Sequence, residues 1–250
     1  MITVNDIYEY IDSFAPFSSA LSFDNVGTLV GNRTGEVKKI VCTLDITKDA
    51  VLYAEKMGAD LIISHHPVIF DPLKSVCSDD VVYSLCSKGI NAICAHTNLD
   101  AAAGGVNDVL CSLLELKNVK AFEPENIARI GDTSNGSLAE LLNTTIIKLG
   151  LTSVHYVDCG KTPKKIAVIG GSGGGYIDEV ISAGADTLIT GEMKHNQFIE
   201  AKAKGLNIIV AGHFATEYPV IPVLADKISK RFESVSVYVF REPSYNVFSR

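Results

Sequence analysis

The stretch Gly58-Ala59-Asp60-Leu61-Ile62-Ile63-Ser64 decides the fold, because it returns as Gly184-Ala185-Asp186-Thr187-Leu188-Ile189-Thr190. In each copy a glycine able to close a helix precedes a run that is apolar on both faces. That is the pattern of a parallel strand covered by helices on two sides. Upstream, Lys38-Lys39-Ile40-Val41 matches Lys164-Lys165-Ile166-Ala167 at the same offset of 126 residues. Downstream, Lys88-Gly89-Ile90-Asn91-Ala92-Ile93-Cys94-Ala95 matches Lys204-Gly205-Leu206-Asn207-Ile208-Ile209-Val210-Ala211 at an offset of 116. Two offsets in one order describe a single unit used twice, with a loop ten residues shorter in the second copy.

The elements between these anchors alternate. Thr3 is placed to cap a first helix, with Asp6 three residues on and Ile7, Tyr10, Ile11 and Phe14 on one face. Strand 39–44 leads to a helix capped by Thr47 and closed at Gly58; strand 60–64, helix 79–88, strand 91–95 and helix 105–115 follow. The order β-α-β-α-β defines an α/β protein. The repeat makes it two similar α/β lobes related by internal duplication, expected at 1–125 and 126–250, with the junction in the Glu115–Asn126 region.

The chain has 250 residues, 47% apolar and 20% charged, which excludes general disorder. Its net charge of −7 argues against a binder that works by neutralising nucleic-acid phosphates. No apolar run reaches the length of a transmembrane helix, and the Met1–Asp6 start lacks a basic, then apolar, leader. Six cysteines are scattered without C-x-x-C spacing. They read as buried thiols in a reducing compartment, so a cytoplasmic protein without a zinc-thiolate site is expected.

Five of the six histidines (His65, His66, His96, His195 and His213) fall at or just after a strand end, the edge where parallel α/β sheets build sites. His155 lies in an alternating stretch and takes no role. Pro67 stops the ladder after Ser64-His65-His66, so two neighbouring imidazoles can turn into one cavity. His96-Thr97-Asn98-Leu99-Asp100 adds an imidazole and a carboxylate, though Asp100 also reads as a helix cap. His213 and Glu217 are four apart, so one helical turn puts them on one face; Pro219 and Pro222 suggest a helix starting near Thr216, where Glu217 would also suit the helix dipole. Taken singly, each of these has a bland structural explanation. Together, a mixed set of nitrogen and oxygen donors suits Zn, Mn, Fe or Co. Five donors exceed one open catalytic ion and suffice for two. Gly170-Gly171-Ser172-Gly173-Gly174-Gly175 reads first as a tight turn between strand and helix and second as a phosphate cradle.

Asp24-Asn25-Val26-Gly27, Ser64-His65-His66-Pro67, His96-Thr97-Asn98-Leu99-Asp100, Thr190-Gly191-Glu192-Met193-Lys194-His195 and Gly212-His213-Phe214-Ala215-Thr216-Glu217 together resemble the Nif-three-like (NGG-interacting factor three) family, often labelled GTP cyclohydrolase I type 2 homologues. The resemblance implies two α/β lobes, a ring-shaped homohexamer and two divalent metal ions (Zn, Mn or Fe) between the lobes. It implies His65, His66, Asp100, His213 and Glu217 as ligands, with Glu217 bridging. His96, Glu192 and His195 become pocket residues, His96 or Glu192 serving as proton relay. Phe214 departs from the His or Tyr of many members, at a position that is no ligand, and Asp24–Gly27 reads first as a turn and second as lining of the same cavity. Such a site supports a metal-dependent hydrolase. The family label points to a purine nucleotide such as GTP, and a phosphoester is equally compatible. The alternative is a metal-binding adaptor or metal-handling ring protein without turnover.

Overall fold

The computed structural model describes residues 1–123 and 125–241. Helix α1 (Val4–Phe14) is capped by Thr3, whose hydroxyl accepts from the Asp6 N–H while the Asp6 carboxylate accepts from the Thr3 N–H. Ile7 and Ile11 on its inner face are fully buried, as the spacing predicts. Strands β1 (Gly27–Val30) and β2 (Lys39–Thr43) lead to α2 (Lys48–Met57), capped by Thr47 and closed by Gly58 at φ 64°. Next come β3 (Leu61–Ser64), α3 (Val81–Lys88), β4 (Asn91–Cys94) and the short α4 (Thr97–Ala101). Then α5 (Val106–Leu113), β5 (Lys117–Ala121), β6 (Arg129–Asp132), α6 (Leu138–Leu149), β7 (His155–Val157) and β8 (Lys165–Ile169). After them run α7 (Ile177–Ser182), β9 (Thr187–Thr190), α8 (His195–Lys204), β10 (Asn207–Val210), α9 (His213–Glu217), α10 (Val220–Arg231) and β11 (Ser236–Val239).

The first sheet has the order β1-β4-β3-β2-β11 and the second β5-β6-β8-β9-β10-β7. The duplicated core is β2-β3-β4 in one and β8-β9-β10 in the other, parallel throughout. An antiparallel strand closes each third core strand: β1 against β4, and β7 against β10. The repeated Gly-Ala-Asp has a physical cause. The Asp60 carboxylate accepts from the Lys38 and Lys39 N–H groups at 2.7 and 2.9 Å, and Asp186 accepts from Lys164 and Lys165, both at 2.9 Å. Each aspartate therefore pins the start of the neighbouring parallel strand. Asn91 and Asn207 repeat a second device: their side-chain oxygens accept from Asn32 and Cys159 N–H just past the antiparallel edge strands. These buried amides are spent on holding the sheet edge.

The chain forms two compact units, Met1–Leu99 with Ile221–Arg250, and Asp100–Val220. In the first, Val41, Ile62, Ala92, Val51, Ala54 and Leu85 build a core between the sheet and its helices. In the second, Ile166, Val168, Ile189, Ile209, Leu110 and Leu141 do the same. The division differs from the expected 1–125 and 126–250. The reason is β11, which pairs parallel with β2 and carries the C-terminal segment back to the first sheet. The expected junction is no linker either: β5 and β6 pair antiparallel at the edge of the second sheet. Pro124 within that region, and residues 242–250 of the expected second lobe, lie outside the described residues.

Two helix expectations also change. The span 105–115 is helical only from Val106 to Leu113, after the separate turn of α4. The helix expected near Thr216 begins at His213, and Pro222 sits in the first turn of the next helix, where a missing N–H costs nothing.

Candidate metal centre

In the first unit the site grows from the carboxyl ends of β3 and β4. The chain leaves β3 at Ser64, whose hydroxyl donates to the His66 carbonyl at 2.7 Å and turns the backbone. The turn overrides the strand alternation that would send His65 and His66 to opposite faces. Their ring centroids lie 5.1 Å apart, and those of His65 and His66 lie 5.1 and 5.6 Å from His96. One ring nitrogen from each of the three falls within 4.8 Å of the others.

Each ring is held from behind through Nδ1. That of buried His65 stands 3.0 Å from the Ala95 carbonyl oxygen, that of His66 2.8 Å from Asp45 Oδ1, and that of His96 2.9 Å from Asp24 Oδ1. Nδ1 facing an acceptor carries the proton, so Nε2 carries the lone pair. Asp24 also accepts from the Thr97 N–H at 3.0 Å and the Thr97 hydroxyl at 2.5 Å. Burial would raise its pKa, but the hydrogen bonds from His96 and Thr97 outweigh burial and hold it down to about 2.

The second unit builds a different group. Within α9, His213 Nε2 lies 3.0 Å from Glu217 Oε2, and His213 Nδ1 lies 3.4 Å from Glu192 Oε2. Glu217 is 4% exposed, and the room for its carboxylate is made by Gly171, whose φ is +61° and where an added Cβ would stand 2.1 Å from Glu217 Oε1. At Gly191 an added Cβ would stand 2.6 Å from the Gly171 carbonyl oxygen and 2.7 Å from Thr216 Oγ1. The glycine loop is therefore a packing device. Three of its amides donate to side chains, Gly170 N–H to Asn107, Gly171 N–H to Thr216 and Gly173 N–H to Thr190. With those three amides spent, the run fits the tight-turn reading better than a phosphate cradle.

Asp100 is buried on α4, and the backbone around it is clamped. Its carbonyl accepts from Asn107 Nδ2 at 3.4 Å, while the buried Arg129 guanidinium donates to the Ala101 and Ala102 carbonyls and to Asp108 Oδ1. Glu192 is exposed beside His213, and His195 is exposed on the first turn of α8. Phe214 stacks on Tyr218 with ring centroids 4.9 Å apart.

Sequence reasoning missed Asp45 and Arg129 and read Asp24 as part of a turn, with lining of the same cavity as its second reading. Asp45 had a signal: it follows β2 at the same sheet edge as the histidines. Arg129 had none, because its partners come from three separate segments, Ala101–Ala102, Asp108 and Asn126–Ala128.

A two-sheet α/β protein with imidazoles and buried carboxylates at the carboxyl ends of its parallel strands presents side chains of the type that can hold a metal ion. The chain belongs to the family described as Duf34/NIF3 (NGG1p interacting factor 3), which it matches over residues 2–244. It is 32% identical to a "GTP cyclohydrolase 1 type 2 homolog" of Clostridium perfringens, covering 98% of both chains. It is 29% identical to "NIF3-like protein 1" of Drosophila melanogaster, covering 97% of this chain and 89% of the other. The crystal structure of a hypothetical protein from Staphylococcus aureus superposes with a TM-score of 0.91 at 27% identity, covering 98% of this chain and 99% of that one. Among the described residues no helix is long and apolar enough to cross a membrane.

Proposed function

We propose that the chain is a dinuclear metal-dependent hydrolase in which His65, His66, Asp100, His213 and Glu217 hold two divalent ions (Zn, Mn or Fe), with Glu217 bridging. The observation that carries this reading is the anchoring of His65 and His66 through Nδ1 by the Ala95 carbonyl and Asp45. Ligand histidines are oriented in this way, because a fixed Nδ1 proton presents Nε2 as the donor. The carboxylates fit as well: Asp100 and Glu217 are buried, and a buried carboxylate is kept in place by pairing, hydrogen bonding or coordination. Bound ions would lower the pKa of water toward neutrality and hold developing negative charge.

The chain's own residues supply the rest. Asp24 stays ionised at working pH and fixes His96 through Nδ1, which orients His96 Nε2 for the proton-relay role. Glu192 orients His213 through Nδ1 and is the second candidate for proton transfer. The names of the relatives support a purine nucleotide such as GTP as substrate; a phosphoester suits the same donors. The working form in this reading is a cytoplasmic homohexameric ring, an expectation that rests on the family resemblance.

The test is metal removal. Chelator-treated protein is expected to keep its far-ultraviolet circular dichroism, lose turnover against GTP and a phosphoester panel, and regain it on adding back Zn, Mn or Fe. Two bound ions with no turnover on any substrate would favour the metal-binding adaptor. Loss of fold on stripping would assign the ions to structure.

A further inference from the structure

Beside the imidazole cluster the first unit displays two rings that the fold does not bury. Phe23 is 63% exposed and Phe70 is 47% exposed. Their centroids lie 6.3 Å apart with planes inclined at 48°. The inclination makes an open V, not a closed stack, so each ring keeps much of its face in solvent.

Both rings stand on chain that is fixed. Phe23 immediately precedes Asp24, which is bonded to His96 and Thr97. Phe70 is the fourth residue after His66, and the intervening Val68 and Ile69 pack against the core while Phe70 turns out. The two loops are tied to each other by Asn25 Nδ2, which donates to the Ile69 carbonyl at 2.6 Å. That hydrogen bond joins the residue two after Phe23 to the residue just before Phe70, and so ties the two ring-bearing loops together. Single exposed apolar residues are ordinary on a protein surface; here two of them stand together on loops tied to each other.

We propose that Phe23 and Phe70 form a binding platform for a flat heteroaromatic ring of the substrate, at the rim of the imidazole cluster. The inference rests on the hydrolase reading for the word substrate; the ring platform itself rests on the geometry of the two loops. Every flat heterocycle presents a π-face, so the platform selects for a planar ring and not for one particular base. It gives the site a preference for ring-bearing phosphates over the phosphates alone.

The experiment is isothermal titration of the metal-loaded full chain with GTP, ATP and inorganic tripolyphosphate. Stacking on an aromatic side chain gives roughly a tenfold preference, so both nucleotides are expected to bind the unaltered protein at least about tenfold tighter than tripolyphosphate. In the double variant Phe23→Ala/Phe70→Ala that preference is expected to fall to about one, with tripolyphosphate binding unchanged. Both side chains are exposed, so the fold does not depend on them. As a second readout, the chain contains no tryptophan, so Phe23→Trp places a single indole on the platform. Its emission is expected to be quenched by GTP and left alone by tripolyphosphate. Equal binding of nucleotide and tripolyphosphate by the unaltered protein, or a preference that survives in the double variant, overturns the platform. His66→Ala separates the two readings: it should remove turnover and leave ring-dependent quenching in place.

Discussion

The two sheets share a core and differ in what they place at its carboxyl edge. Ser64 and Thr190 occupy equivalent strand ends, yet His65 and His66 follow the first while Gly191 and Glu192 follow the second. At the next strand end His96 stands where the second copy has Gly212. The first edge is loaded with imidazoles backed by acceptors. The second is loaded with glycines that let α9 approach closely and deliver His213 and Glu217. Duplication therefore reproduces the scaffold, held in both copies by the Asp60 and Asp186 pins, while the chemistry depends on residues outside the repeat. The sheets also end differently, a parallel β11 beside β2 against an antiparallel β6 beside β8.

The largest effect is expected at the carboxylate assigned to both ions. Glu217→Ala should lose both ions by elemental analysis and all metal-dependent turnover; two ions retained per chain would remove the bridging role. Gly171→Ala comes next, since an added Cβ meets the Glu217 carboxylate at 2.1 Å and the residue has φ +61°. Strain plus overpacking is expected to cost about 2–4 kcal/mol in denaturant unfolding. Gly175→Ala, where an added Cβ meets nothing within 4 Å, is the control and should differ little from the parent. Equal stability of the two variants would show that the glycine loop is not packed on α9.

Asp24→Asn tests the first edge. The folded carboxyl is held at about 2, below its ordinary value of 3.8. A depressed pKa contributes stability that is fully present above about pH 4 and disappears as pH falls through 2. The variant should be less stable than the parent by about 2 kcal/mol near neutral pH. The gap should narrow only below pH 4. A gap independent of pH down to 2 would assign the loss to packing alone. The smallest effect is expected at His155, exposed on edge strand β7: His155→Ala should change stability by less than about 0.5 kcal/mol. It should leave metal content untouched.

Much of this was legible in the sequence because it depends on local patterns. Runs apolar on both faces marked β3 and β9, Thr3 and Thr47 marked helix starts, and Gly58 a helix end. The gathering of His65, His66 and His96 followed from their places after strands β3 and β4. The return of β11 to the first sheet was not legible, because pairing between strands almost two hundred residues apart leaves no local trace. Nor was the clamp of Arg129, whose acceptors, apart from Asp108, are backbone carbonyls that any residue type supplies. The glycine run could be read as turn or anion cradle. Only the side-chain partners of its amides distinguish the two.

The most direct test of the central claim is anomalous diffraction from crystals of the intact chain, recorded across the zinc, manganese and iron edges. The account predicts two peaks per chain, each about 2.0–2.2 Å from its His and carboxylate donors among His65, His66, Asp100, His213 and Glu217, with Glu217 reaching both. One peak, no peak, or ions bound away from these five side chains would contradict it.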